Sequence, residues 1–285
     1  MKRIVGTTTV TDFAVGESTL GKVVVGEAPA AAGTDFAKAS ISVDTVVYAR
    51  NVLPLLDVFQ TSYDARKEIG QEHGKKIAKF FDQSLFIQGY KAAMLTESRF
   101  SNGSAGKPAG HFGGSRVTLS SAGAATDPAM LYKAISDLFV QMETKDVVPR
   151  EDDVMLAFKP AQFYALQDAE QIVNGTYVTS DGTTLNNQAI FKAFGCMVCS
   201  SNNLPSTVIT GHLLSNAANS NAYDGDFTKL AGLALSARAI LGGETIPLTS
   251  DVFYDKIYKS WFVDSHLAYA ATPNRAEYAG AILLP

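Results

Sequence analysis

The sequence predicts an α+β chain, and three observations carry that reading. Thr61–Glu97 contains no proline and repeats its apolar residues at helical spacing over about 35 residues. Segments rich in Val, Ile, Thr and aromatic residues, the types that favour strands, stand within residues 1–50 and again within 251–285. Between them, from Asp153 onward, short apolar runs alternate with a short helical stretch and polar loops.

Residues 1–50 read as extended. Val23–Val25 is a short β run, and Ile41, Val43, Thr45 and Val47 alternate along a second strand. Gly26–Ala37 between them, rich in Gly, Ala and Pro, is the loose tip of a long hairpin. A two-stranded ribbon buries little by itself and is marginal in water, so this one is expected to lie on something else. Asn51–Gln60, with Pro54 among apolar residues, forms an elbow. The long helix follows, capped by Thr61 and roughly 52 Å long at 1.5 Å per residue. Ile69, Ile77, Phe81 and Leu85 mark its buried face, and Glu72, Lys75 and Lys76 its exposed one. Gly70 and Gly74 are the places where it would kink. So long a helix, half exposed, suits a scaffold better than a compact catalytic core.

Ser101–Ser115 is a surface loop by composition. Asp127-Pro128 then opens a second helix, with Leu131, Ile135, Leu138 and Met142 on its buried face. Val154–Phe158 reads as a strand, Pro160–Gln167 as a short helix, Gln171–Asn187 as a polar loop and Ala189–Ser200 as one strand. His212–Asp226 is a loop, Leu230–Leu241 an apolar stretch, and the β-rich end closes with a strand at Ala279–Leu284.

At 285 residues and 46% hydrophobic the chain can bury a full core, and a net charge of −4 gives no electrostatic footprint for nucleic acid. No run approaches the 18 apolar residues of a membrane span, and the polar start lacks the apolar region of a signal peptide. Two cysteines do not make a disulfide framework, so synthesis in a reducing cytoplasm is expected.

The motif search yields no catalytic, cofactor-binding or metal-ligating residue. Cys196-Met197-Val198-Cys199 has the spacing of a redox or zinc pair but lies inside a strand, where positions i and i+3 face opposite sides. His212 alone does not complete a zinc set. Gly106-Lys107 is followed by Pro108, where a phosphate loop needs Ser or Thr. Asp264-Ser265-His266 names three triad residue types that, being consecutive, cannot converge. The acidic clusters Glu151–Asp153 and Asp224–Asp226 lack the rest of a calcium loop, and Lys75, Lys76 and Lys79, interleaved with acids, form a solvated face.

Three stretches carry a resemblance. Val43–Glu68, VDTVVYARNVLPLLDVFQTSYDARKE, resembles the strand, elbow and long-helix opening of tailed-phage major capsid proteins, especially of short-tailed podophages. Phe191–Pro205 resembles that family's aromatic-Gly strand with a proline-containing loop. Trp261–Pro285, with Arg275-Ala276-Glu277, resembles its closing strands. The resemblance implies a Hong Kong 97-like capsid fold. Residues 1–46 would hold the N-terminal segment and the extended loop hairpin, with the loop near 12–46 lying over a neighbour. Residues 47–150 would form a peripheral domain with its spine helix, 151–240 an axial domain, and 241–285 the strands returning to the peripheral domain.

It implies a non-enzymatic coat protein without cofactor or membrane, assembling as hexamers and pentamers into an icosahedral virion shell around double-stranded DNA. A portal protein would be a partner, with scaffolding or decoration proteins as optional ones. Lys22 stands in the loop, but no partner for a covalent cross-link is identifiable, so none is predicted. Alternatives from the same residues are the shell of a cellular nanocompartment and a small α+β redox enzyme using Cys196 and Cys199.

Overall fold

The structure, a computed structural model, describes residues 2–3, 8–17, 20–23, 25–26, 36–60, 65–100, 110–168 and 190–285. It is α+β: two larger sheets are joined by one long helix. In chain order, β1 (Lys2–Arg3), β2 (Thr9–Val15), β3 (Phe36–Ser42) and β4 (Val47–Pro54) lead into α1 (Leu55–Gln60) and α2 (Ala65–Met94). Next come β5 (Ser115–Thr118), α3 (Pro128–Glu143), β6 (Met155–Phe158), α4 (Pro160–Gln167), β7 (Ile190–Ala193) and β8 (Cys196–Ser200). The short β9 (Val208–Ile209) and β10 (Gly225–Asp226) precede β11 (Leu230–Leu235), β12 (Ile240–Asp255), β13 (Ser260–Pro273) and β14 (Ala279–Leu283).

The six-stranded sheet runs β5-β14-β11-β6-β8-β7 and is clamped between helices. On one face Leu131, Ile135, Leu138 and Met142 of α3, all fully buried, meet Leu156, Phe158, Val198 and Ile282. Each such side chain contributes about 1.5–3 kcal/mol by leaving water. α3 begins as its sequence predicts: the Asp127 carboxylate accepts the Met130 N–H at 3.1 Å, and Pro128 fills the first turn. On the other face Ala92 and Ala93 of α2 meet Leu233, Ala279 and Ala281. Gly280 is favoured by close approach, since a Cβ there would stand 3.0–3.2 Å from the Leu138 side chain.

The four-stranded sheet runs β1-β12-β13-β4. One of its faces rests on α2 from His73 to Ile87. Val263, Leu267 and Tyr269 of β13 are buried there, Leu267 and Tyr269 clustering with Ile77 and Ile87. At 30 residues, about 45 Å long, α2 therefore reaches from beneath one sheet to beneath the other. It is continuous through Gly70 and Gly74 and shorter than Thr61–Glu97; the expected Thr61 cap lies outside the described residues.

The buried stripe of α2 also differs from the expected one. His73, Ile77, Ser84, Ile87 and Gln88 face inward, while Ile69, Phe81 and Leu85 are only half covered. Polar residues can occupy that stripe because each finds a partner. His73 Nε2 lies 2.9 Å from Asn51 Oδ1, Ser84 Oγ lies 2.9 Å from the Tyr269 hydroxyl, and Gln88 donates to the Ala222 carbonyl at 2.9 Å.

The hairpin exists but in another register. β2 pairs antiparallel with β3 from Thr9↔Ser42 to Val15↔Phe36. Val23 is not in a strand and Val25 sits in a turn with Gly26, whose φ is +93°. Three valines make too short a run to outweigh the seven-residue ladder formed by Thr9–Val15. The base of the ribbon packs on its own chain, with Val10 against Leu241 and Ala14 and Ala39 against Phe100. Asn51–Pro54 of the expected elbow belongs to β4.

Within the expected Ala189–Ser200 strand, Ile190–Ser200 is a hairpin, because Phe194 and Gly195 take φ of 51° and 84° and reverse the chain between β7 and β8. Residues 27–35 of the expected tip, the loop segment 101–109 and the Gln171–Asn187 loop lie outside the described residues.

Candidate assembly surfaces

The residues singled out for chemistry do not converge. Cys196 and Cys199 are both free on β8; Cys196 faces α3 and is buried, whereas Cys199 is half-buried on the opposite face. Burial pushes both thiols up, the reverse of what a nucleophilic thiolate needs. Ser265 points beneath α2, where its hydroxyl lies 2.9 Å from Ser250 Oγ and 3.4 Å from His73 Nδ1. Neighbouring Asp264 and His266 alternate to the other face of β13. Ser265, His73 and Asn51 thus form a hydrogen-bonded chain between helix and sheet, buried at Ser265 and His73 and open to solvent at Asn51, fastening α2 to β13 and β4. Sequence reading missed His73, and only its neighbours across the fold identify its role.

The acidic clusters are turn fasteners. Asp152 accepts the Val148 N–H at 3.0 Å and pairs with Arg238 at 2.8 Å. Asp224 accepts the Gly211 and His212 N–H groups and the Ser215 hydroxyl, and these bonds hold its carboxyl below the usual carboxylate range. No cluster of three or more His, Cys, Asp or Glu suited to a metal occurs among the described residues, and no described helix is long and apolar enough to cross a membrane.

What the fold presents instead is uncovered apolar surface at two places. The first is the outer face of the β2–β3 ribbon. Strand alternation sends Val10, Asp12 and Ala14 inward, and sends Phe13, Val15 and Phe36 outward. Phe13 is 65% exposed and Phe36 72%. Lys22, near the ribbon in sequence, is exposed too.

The second is the tip end of the face of the four-stranded sheet turned away from α2, where the cross-strand row Val52–Phe262–Phe253 is apolar; the next rows, Arg50–Asp264–Asp251 and Tyr48–His266–Thr249, are mainly polar. Phe253 stacks on Phe262 at 5.4 Å, and Tyr258 packs edge-on to the same ring. At the tip of the β12–β13 hairpin Ile257 is 86% exposed. The Arg50 guanidinium donates to Asp264 at 2.8 Å, and that bond holds the carboxyl below its ordinary range. Single exposed apolar residues are ordinary, but contiguous rows of them mark surfaces that other molecules cover.

The fold has close structural counterparts. The chain is similar to the capsid protein in the capsid structure of cyanophage P-SCSP1u, at a TM-score of 0.81 and 20% identity over 99% of this chain and 85% of that one. It is similar also to the chain in the asymmetric unit of the bacteriophage PhiM1 mature capsid, at a TM-score of 0.77 and 22% identity over 98% and 82% of the two chains. The fold is that of a phage capsid subunit. A capsid chain of an empty GTA particle shares it more distantly, at a TM-score of 0.56 and 10% identity over 99% of this chain and 87% of that one. No protein-family model matches the sequence, and no curated protein matches it.

Proposed function

We propose that this chain is the major capsid protein of a tailed phage, built on a Hong Kong 97-like plan. The observation that carries the reading is the likeness of fold to capsid subunits along 98–99% of the chain. Many copies assemble as hexamers and pentamers into an icosahedral shell around double-stranded DNA, with a portal protein at one position. In this reading residues 1–46 form the extended hairpin, 47–150 the peripheral domain, 151–240 the axial domain and 241–285 the returning strands. β5 and β14 contribute to the sheet of the axial part.

The outward ribbon face at Phe13, Val15 and Phe36 supports the reading, since a neighbouring copy would remove it from water. The chain is synthesised in the host cytoplasm and acts in the virion. Sedimentation velocity of the purified protein tests this. Hexamers, pentamers or closed particles are expected, and a stable monomer across a wide range of concentration and salt overturns the proposal. DNA in native particles, as opposed to an enclosed enzyme, separates a virion from a nanocompartment shell.

A further inference from the structure

We propose that His212 is an acid-sensitive pin: its neutral ring fastens the loop between β9 and β10 and, through that loop, the root of the β2–β3 ribbon, and protonation withdraws the fastening. The imidazole is sandwiched between Phe80 of α2 and Tyr223, with ring centroids 5.0 and 5.1 Å away and interplanar angles of 10° and 13°. Its Nδ1 accepts the Leu214 N–H at 3.2 Å. A backbone amide can only donate, so Nδ1 is bare and the one proton of the neutral ring sits on Nε2. Nε2 is buried and has no hydrogen-bond partner among the described residues.

Leu214 is where the loop is tied together. Its side chain is buried in one cluster with Ile77 and Tyr269. Its carbonyl accepts from Asn219 Nδ2 at 2.7 Å, and Asn219 Oδ1 accepts the Asn216 N–H at 3.0 Å. Asn216 Nδ2 then donates to Asp44 Oδ2 at 2.9 Å. Asp44 lies between β3 and β4, where the ribbon joins the body. A short chain of hydrogen bonds thus runs from the His212 ring to the ribbon root.

A second proton has only Nδ1 to go to. There it meets the Leu214 N–H, donor against donor, and the bond is lost. Two features favour the charged ring: the faces of Phe80 and Tyr223 attract a cation, and Asp224 is near. Neither replaces the lost acceptor, and the Asp224 carboxylate is already engaged by the Gly211 and His212 N–H groups and the Ser215 hydroxyl. Burial outweighs both and holds the imidazole below the ordinary histidine value of 6.5.

The other titratable groups packed around the ring are few. Burial pushes the phenols of Tyr223 and Tyr269 up, Tyr223 to about 12, so both stay neutral. Asp44 lies near Tyr223 and Asp82 near Tyr269, and the Lys91 ammonium on the α2 side donates to the Ala222 carbonyl. The ring is neutral in the closed loop and protonates more readily in the open one, so closing the loop releases a proton. The closed loop therefore has its full stability above the ordinary value of 6.5 and loses it as pH falls from there through the depressed value. The pin belongs to the single subunit and does not rest on the shell reading.

The test is 15N-histidine spectroscopy on the unassembled full-length chain, with amide hydrogen exchange corrected for intrinsic rates. The His212 ring should be the Nε2–H tautomer at about pH 7.5 and become imidazolium on acidification. Protection of the Leu214 and Asn216 amides should fall several-fold between about pH 7.5 and 5, while the Val10 and Ala39 amides of the ribbon ladder are unchanged. His212→Asn gives the Leu214 N–H an acceptor oxygen that does not titrate, and it should remove the step. Loss of the step supports the pin at whatever protection the variant starts from, and its persistence overturns it. Two wild-type readings, which require no variant to fold, also overturn it: an Nδ1–H tautomer at neutral pH, or unchanged Leu214 protection across the interval.

Discussion

Replacing Leu138 and Gly280 separately and together should show that helix α3 and strand β14 interlock. Leu138 is fully buried, so Leu138→Ala should cost about 3 kcal/mol, the lost transfer energy plus the cavity left behind. Gly280→Ala places a methyl 3.0–3.2 Å from Leu138 Cδ1, Cδ2 and Cγ. The buried leucine has little room to yield, so crowding of about 1–2 kcal/mol outweighs the half kilocalorie or so gained by stiffening the strand. The net cost is about 1 kcal/mol. In the double variant the new methyl enters the space that Leu138 vacates. The combined cost should then be about 2 kcal/mol and not the additive value of about 4, a coupling of about 2 kcal/mol.

Denaturant unfolding of the dissociated chain at one low concentration measures it, since assembly would add stability of its own. Circular dichroism follows the whole fold, and Trp261 fluorescence follows the four-stranded sheet. Coincident transitions would license the free energies. Additive costs would refute the interlock, because they would mean that the two groups do not share one space.

Other expectations follow from single contacts. Asp127→Ala should cost about 1 kcal/mol in the same unfolding assay by removing the α3 cap. Cys196 and Cys199 should resist alkylation at neutral pH until the chain unfolds, since burial raises both thiols. Replacing both with alanine should leave particle yield intact. The Asp264 carboxyl, held low chiefly by its hydrogen bond from Arg50, stabilises the fold above the ordinary carboxylate value of about pH 4. That contribution is lost as pH falls through the depressed value. Asp264→Asn should flatten this part of the acid side of a thermal-stability profile; an unchanged profile would show the pair to be inert.

The helices α3 and α4 were legible because their signals are local. An Asp-Pro start, a 3.6-residue apolar repeat and Pro160 at a first turn lie within each element. The face of α2 was not, because His73, Ser84 and Gln88 are buried on partners 22 to 185 residues away, and no periodicity announces such bonds. The β7–β8 reversal was hidden because its first left-handed position is Phe194 and not the usual Asn or Asp. Valine composition drew the first hairpin strand to Val23–Val25, whereas the ladder is specified by alternation along Thr9–Val15.

Of the candidate surfaces, the sequence contains Phe13, Phe36, Phe253 and Phe262 as apolar types. Their exposure depends on which face α2 and Phe100 cover, and that is decided only when the sheets are formed.

Electron microscopy of negatively stained wild-type protein beside Phe13→Asp/Phe36→Asp tests the central claim most directly. Both positions are exposed on the outward ribbon face, so the charges should leave the circular dichroism and thermal unfolding of the dissociated chain nearly unchanged. In an assembled shell they would be desolvated against a neighbour, which buried charges do not tolerate without partners. The wild type should form closed shells, or hexameric and pentameric rings, and the variant should remain as dispersed subunits. A wild-type protein that stays monomeric in every condition, or a charged variant that assembles as well as the wild type, would contradict the account.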